Sequence, residues 1–324
     1  MHDLPENSFS ISQAFSLLRP KHWIKNGFVL VPILFAGKYH NLQAWINISF
    51  AFAAFCAIAS AIYIFNDICD KDKDAKHPVK CKRAIASGCI STKAGIAISS
   101  ILLAISAGFA WLAVGHSLCK DFANFAGWGL FFWLAVYLLM QIAYSLKIKN
   151  IAILDMIFLS LGFVVRAVAG AAAISVPVSG WLILCSFMLC LYLAAVKRRS
   201  ELAQVDSLTA SETRPVLRAY ENSAELDRIL TCSAGLSIMT YSLYCLAPRT
   251  IAQFGSANMV WTIPLVVYGI FRYDRVSRNS SKSDLVQIIL SDKILWLVVA
   301  CYIGLILLII RFGAHPAIKN IISI

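Results

Sequence analysis

The chain has 324 residues, 59% of them hydrophobic and only 14% charged, with a mean hydropathy of +0.73 and a formal net charge of +12. That much apolar surface cannot be hidden in one water-soluble core, which excludes an ordinary soluble enzyme or binding module. The excess of Lys and Arg shows no interleaving with aromatics of the kind that grips nucleic acid, so membrane lipids and not nucleic acid are the expected surface partner.

In chain order, residues 1–20 form an N-terminal segment without a basic start, an apolar core and a small-residue cleavage site, so no cleaved signal is expected. Nine apolar runs follow, near 24–39, 42–65, 94–115, 122–146, 151–175, 178–196, 229–247, 257–273 and 294–312. All but the short first are long enough for a hydrocarbon core of about 30 Å. Most of the 29 Lys and Arg fall in the connections that share a side with the N-terminus, which places that side in the cytosol. The expected fold is therefore all-α, a single polytopic membrane domain over 1–324 with nine transmembrane helices, and no segment specifies an oligomeric state. The ten cysteines lack a CxxC or any Cys and His spacing suited to zinc and read as small apolar fillers.

The second run ends in Asn66-Asp67-Ile68-Cys69-Asp70-Lys71-Asp72-Lys73-Asp74, opening an Asp-rich cytoplasmic segment over 66–92. If the helix carries on, Asn66, Asp70 and Asp74 recur every four residues on one ridge, offering oxygen ligands to a hard cation that also holds phosphates. The neighbouring Lys76, Lys80, Lys82 and Arg83 then stand close enough to grip phosphate oxygens. The alternative is a solvated loop whose charges merely balance.

Two other places carry charge beyond what topology requires. In the fifth run Arg166 falls mid-span, where an unpaired cation costs at least about 2.5 kcal/mol. Asp155 lies eleven residues earlier on nearly the same helical face, so the pair is expected to outline a polar channel. Tyr144, Ser145, Lys147 and Lys149 sit just before it, and either crowd that channel's mouth or anchor the helix at the interface. After the sixth run, Lys197, Arg198 and Arg199 suit a phosphate, and the polar connection 197–228 is expected to cap the site. Arg19, Lys21 and Lys25, beside Trp23, either anchor the first helix or add phosphate contacts.

Taken together these residues resemble the UbiA superfamily of intramembrane transferases, whose NDxxDxxxD hallmark is matched from Asn66 to Asp74. Within it the chain is similar to decaprenyl-phosphate phosphoribosyltransferases, through RPKHWIKN at 19–26, HPVKCKRAIASG at 77–88, YSLKIK at 144–149 and KRRSEL at 197–202. It departs at Ala84, where that family has Pro. The resemblance implies nine helices around a central cavity, Mg²⁺, and a reaction of 5-phosphoribosyl diphosphate with a polyprenyl phosphate that releases diphosphate, in a bacterial inner membrane. On that expectation Asn66, Asp70 and Asp74 hold the metal, and Asp67, Asp70 and Asp155 act at the reacting centre. Lys21, Lys25, Lys80, Arg83, Tyr144, Lys147, Arg166, Lys197 and Arg198 would bind substrate. Rival expectations are an aromatic prenyltransferase using a prenyl diphosphate and, less well matched, a transporter of an anionic solute.

The charge asymmetry makes its own prediction. Single cysteines at Ser87 and Ser207, in a background without native cysteines, should react with a membrane-impermeant maleimide only from the cytosolic face. Reaction from the opposite face alone overturns the orientation.

Overall fold

A computed structural model describes residues 17–76, 80–120, 129–204, 215–220, 223–278, 288–289 and 291–312. Among these residues all regular structure is helical. A 3₁₀ segment, Pro20–Leu30, is followed by α1 (Val31–Phe35), α2 (Leu42–Cys69), α3 (Lys71–Ala75), α4 (Thr92–Lys120), α5 (Gly129–Leu146) and α6 (Leu154–Ala173). Then come α7 (Gly180–Gln204), a 3₁₀ turn at Pro215–Tyr220, α8 (Ser223–Leu246), α9 (Pro248–Phe254), α10 (Ile263–Arg278) and α11 (Lys293–Phe312).

Seven of these helices are long and apolar enough to cross a membrane, or eight if the pair Pro248–Phe254 and Asn258–Arg278, bent by 95°, counts as one span. The chain is an integral membrane protein. Two of the nine expected spans depart from the straight helix that apolar length alone suggests. The first becomes the 3₁₀ segment and α1, because Pro20 and Pro32 withhold backbone donors and Gly37, at φ 65°, ends the run. The eighth begins as a 3₁₀ turn, Asn258–Thr262, before α10, and just ahead of it Gly255, at φ 70°, sets the 95° bend from α9. The polar connections are also shorter than expected. Asn66 to Cys69 still belong to α2, and 197–204 prolong α7. Residues 205–214, the middle of the expected cap, lie outside the described residues.

The chain divides into two compact units, Met1–Lys149 with Gly162–Pro177, and Asn150–Leu161 with Val178–Ile324. In the first, α2 is the central helix. Asn41 caps it by accepting a hydrogen bond from the Ala44 amide at 3.1 Å, and its alanine-rich middle lets neighbouring backbones come close. Ser106 and Ser99 of α4 donate to the carbonyls of Ala54 and Ala61, at 2.9 and 3.3 Å, tying the two helices together. Ile48, Phe55 and Ile58 of α2 meet Val29, Leu134, Tyr137 and Val165 in one core. By contrast α4 turns Ile101, Trp111 and Leu112 outward, as expected where lipid is the solvent.

The second unit is built around α7 and α8. Tyr192 packs edge-on against Tyr273 and donates to the Ile270 carbonyl at 2.8 Å, joining α7 to α10. Met156, Val196, Leu226 and Leu230 complete that core.

One contact in the first unit leaves no tolerance. A Cβ built on Gly170 would stand 2.0 Å from the Val29 carbonyl oxygen, so α6 can meet the N-terminal segment there only as glycine. Gly170→Ala should cost about 1–3 kcal/mol through overpacking, read as a lower unfolding midpoint of the purified protein in detergent. An unchanged midpoint would mean that this contact is not formed.

Candidate active site

The acidic row grows out of the end of α2. Helical hydrogen bonds continue through it, from the Asp70 amide to the Asn66 carbonyl at 2.9 Å and from the Asp74 amide to the Asp70 carbonyl at 2.8 Å. The side chains nevertheless fall into two groups. Lys149 places its ammonium 2.7 Å from both Asp70 carboxylate oxygens and 3.3 Å from Asn66 Oδ1. Arg83 Nη1 bridges Asp67 Oδ1 at 3.0 Å and Asp74 Oδ2 at 2.6 Å, and Arg19 Nη2 adds a second cation 2.6 Å from Asp67. Lys80 stands 4.0 Å from Asp74.

This corrects the single ridge of Asn66, Asp70 and Asp74. At about 100° per residue, positions eight apart diverge by about 80°, whereas Asp67 and Asp74, seven apart, differ by only about 20°. The kink at Asp70 (φ −97°, ψ 7°) finishes the regrouping, and Asp74 joins Asp67 on Arg83. Among the described residues no three His, Cys, Asp or Glu side chains converge to hold a metal ion. The donor set still suits a hard cation. Asn66 and Asp70 supply three oxygens to one centre of positive charge, and in this structure that centre is the Lys149 ammonium.

The flanking segments explain how the cations arrive. Arg19 takes a left-handed conformation (φ 50°, ψ 56°) before the 3₁₀ segment, which lays its guanidinium 5.1 Å from the centre of the Tyr63 ring and onto Asp67. Arg83 is carried by a short loop closed by bonds from the Ser87 amide to the Arg83 carbonyl and from the Ile90 amide to the Ala84 carbonyl, at 2.8 and 2.9 Å. Gly88 completes it at φ 80°, so the loop closes with Ala84 where the resembling family has Pro. Lys21 and Lys147 are exposed beside this region, and Lys25 and Tyr144 are half-buried.

Arg166 is 5% exposed and its donors go to neutral acceptors. Nε reaches Asn26 Oδ1 at 2.7 Å, Nη1 the Gly162 carbonyl at 2.8 Å and Nη2 the Tyr137 hydroxyl at 2.6 Å, while the Tyr137 and Phe163 rings flank the guanidinium at 4.7 and 5.4 Å. The expected pairing with Asp155 is not made. Eleven residues of helix separate the two by about 16 Å, further than any side-chain contact, and neutral oxygens with π-faces hold the cation instead.

Asp155 belongs to the second unit's own network. It is fully buried, its Oδ2 accepting from Arg198 Nε and its Oδ1 from the Tyr220 hydroxyl at 2.8 Å. Arg198, also fully buried, gives Nη1 to Glu201, and Lys197 lies 3.9 Å from the same carboxylate. Arg199 binds Asp274 at 2.6 Å and Ser277 at 3.1 Å. The basic cluster read as a phosphate grip is thus committed to carboxylates here, because burial at the end of α7 demands counter-charge.

Tyr220 was invisible to the sequence reading, since nothing in a polar connection marks one tyrosine. Its hydroxyl oxygen accepts from the Ile153 amide at 2.5 Å. Ile153 has φ 66°, and the Leu154 amide bonds back to the Ala152 carbonyl at 2.7 Å, giving a tight γ-type turn that a β-branched residue adopts only under strain. Burial pushes the Tyr220 phenol above its ordinary range, so it stays protonated and donates to Asp155. Arg19 and Lys149, expected only as members of their basic segments, are the cations that reach the acidic row, and Glu201, which the sequence places after the basic cluster, pairs with Arg198.

A membrane helix bundle with a charge-balanced Asn/Asp row at the end of its central helix defines a class of intramembrane protein, and similarity to known proteins resolves the family. The chain belongs to the UbiA prenyltransferase family, whose sequence pattern matches residues 28–297. It is 31% identical over 307 residues to the decaprenyl-phosphate phosphoribosyltransferase of Mycolicibacterium smegmatis, covering 91% of this chain and 92% of that protein. It is 33% identical over 239 residues to the nodulation protein NoeC of Azorhizobium caulinodans, covering 72% of each. A UbiA homolog from Archaeoglobus fulgidus, solved bound to GPP and Mg²⁺, shares the fold with a TM-score of 0.63 at 15% identity, over 92% of this chain and 99% of that one.

Tyr220→Phe keeps the buried ring and removes only the hydroxyl, orphaning the Ile153 amide and one Asp155 oxygen. It should lower stability by about 1–3 kcal/mol, measured as a fall in unfolding midpoint. A midpoint within error of wild type would show that the turn does not depend on Tyr220.

Proposed function

We propose that the protein transfers the 5-phosphoribosyl group of phosphoribosyl diphosphate to a polyprenyl phosphate, releasing diphosphate. The observation that carries this reading is similarity of about 30% identity along nine-tenths of the chain to proteins named for that transfer. Two observations support it. In the first unit the Asn66 and Asp70 oxygens already share a cation, and in the second the described end of α7 is basic in sequence, with Lys197, Arg198 and Arg199 against Glu201 as its single acidic residue. A prenyl diphosphate user is expected to have a second carboxylate clamp in that place.

In this reading Asn66, Asp70 and Asp74, with Asp67 as a further ligand or orienter, would hold Mg²⁺, which would neutralise charge on the departing diphosphate. Lys80 and Arg83 lie beside the row to bind phosphate oxygens. The C1–O bond to diphosphate breaks and the leaving group keeps the electron pair. An oxygen of the lipid phosphate forms the new C1–O bond from the opposite face, inverting C1. That phosphate is already ionised at neutral pH, so no proton has to be removed and no general base is required. Asp155, with both oxygens engaged, therefore positions the end of α7 and the Ile153 turn and does not act as a base. Arg166 orders the first unit from within, and Lys21, Lys25, Tyr144 and Lys147 would bind the acceptor headgroup or anchor the chain at the lipid surface.

The same reading takes nine crossings around a central cavity as the architecture. Eleven 3₁₀ residues at about 2.0 Å and five α-helical residues at about 1.5 Å give the 20–35 segment about 30 Å, enough for a hydrocarbon core. The N-terminus and acidic row would face the cytosol of a bacterium with the chain in its inner membrane. The product would be a lipid-linked pentose phosphate for cell-wall or surface-polysaccharide assembly.

The purified protein in detergent with Mg²⁺ should form product from phosphoribosyl diphosphate and a polyprenyl phosphate. It should form none from a prenyl diphosphate and 4-hydroxybenzoate, and product from the second pair alone would make it an aromatic prenyltransferase. Asp70→Asn, which keeps shape and removes charge, should lower turnover on the order of a hundredfold while the protein stays folded. Near-normal turnover would remove Asp70 from the site.

A further inference from the structure

Lys149 is seated as a ligand is seated. An ammonium has three donors, and here three acceptors meet it: both oxygens of Asp70 at equal 2.7 Å distances, and Asn66 Oδ1 at 3.3 Å. Equal distances put the nitrogen on the carboxylate's bisector, where a cation shared by Asp70 and Asn66 has to stand. The two side chains are only 15% and 19% exposed, so water screens the pair weakly. Lys147, two residues earlier, is exposed, which marks Lys149 as the lysine of this segment that turns inward.

Resting on the reading of this row as a metal–diphosphate site, we propose that Lys149 is a tethered competitor for the metal position. It makes the site select the preformed metal–diphosphate complex over the free divalent cation. A free cation must evict the ammonium and leave it half-buried without a counter-charge, which is costly in a weakly screened place. A metal–diphosphate complex brings both parts of the exchange at once: a cation for Asp70 and Asn66, and phosphate oxygens for the displaced ammonium. No bond is made or broken in this step. Its consequence is order, because metal and sugar diphosphate arrive together, and a site holding metal alone, open to adventitious anions, is rarely populated. If Lys149 occupies the position about nine-tenths of the time, the apparent affinity for free metal is lowered about tenfold.

The test uses Mn²⁺ as probe, with the full-length protein in detergent and no sugar substrate, and binding is read from the electron paramagnetic resonance signal of free Mn²⁺. Lys149→Met should bind Mn²⁺ about tenfold more tightly than wild type. Lys149→Gln, of similar length and neutral, should do the same should the Met variant fail to fold. In wild type, acetylation of Lys149 by a water-soluble N-hydroxysuccinimide ester, followed by mass spectrometry, should increase as Mn²⁺ is added. Equal Mn²⁺ affinity in wild type and both variants, or acetylation that stays constant while Mn²⁺ binds, overturns the proposal. The reading beneath it fails separately: if Asp70→Asn leaves Mn²⁺ affinity unchanged in both the wild-type and Lys149→Met backgrounds, the acidic row is not the metal site at all.

Discussion

A carboxylate near the end of a membrane-buried helix has to be supplied with a counter-charge, and the supply has to come from other parts of the chain. In the first unit Asp67, Asp70 and Asp74 draw Arg19 from the N-terminal segment, Arg83 from the loop after α3 and Lys149 from the turn after α5. Three separate connections are thereby pinned to the end of α2. In a medium of low dielectric these pairings are individually stronger than at a water surface, and breaking one strands a buried charge. The site's shape is a consequence of that neutrality requirement as much as of any requirement of chemistry.

The second unit obeys the same rule with different parts. Asp155, Glu201 and Asp274 absorb the cations at the end of α7, while Tyr220 stitches the strained turn at Ile153 to Asp155. A strained backbone persists only where its surroundings over-determine it, and here one hydroxyl serves both the turn's amide and the buried carboxylate. Arg166 is the exception that shows the range of the rule. Its cation is held by an amide, a carbonyl, a phenol and two ring faces, which is how a guanidinium can be kept inside a membrane helix without a carboxylate beside it.

The balanced row also bears on how the protein would use a metal. A site made only of carboxylates would bind any divalent cation in passing. One neutralised by its own arginines and lysine has to be opened by something that satisfies both signs, and a diphosphate with its metal does so. On the proposed reading, that requirement fits a reaction whose leaving group is charged, and the family membership is consistent with it.

The sequence by itself determined the class: long apolar runs make membrane helices, and the lopsided Lys and Arg distribution implies an orientation, because both follow from transfer of single residues between water and lipid. It also determined where chemistry was worth looking for, since Asn66 to Asp74 is a local pattern that stays together however the rest folds. What it could not contain was which charge meets which. Asp155 and Arg166 share a helical face yet take separate partners, Asp74 leaves Asn66 for Asp67, and Tyr220 acts from a connection with no motif. Those pairings join residues up to 140 positions apart and depend on the kink at Asp70, the φ of Ile153 and the approach permitted by Gly170. Only the packed tertiary structure decides such matters, because an ion pair is chosen by distance and dielectric in space, and neither is written in the order of residues along a chain.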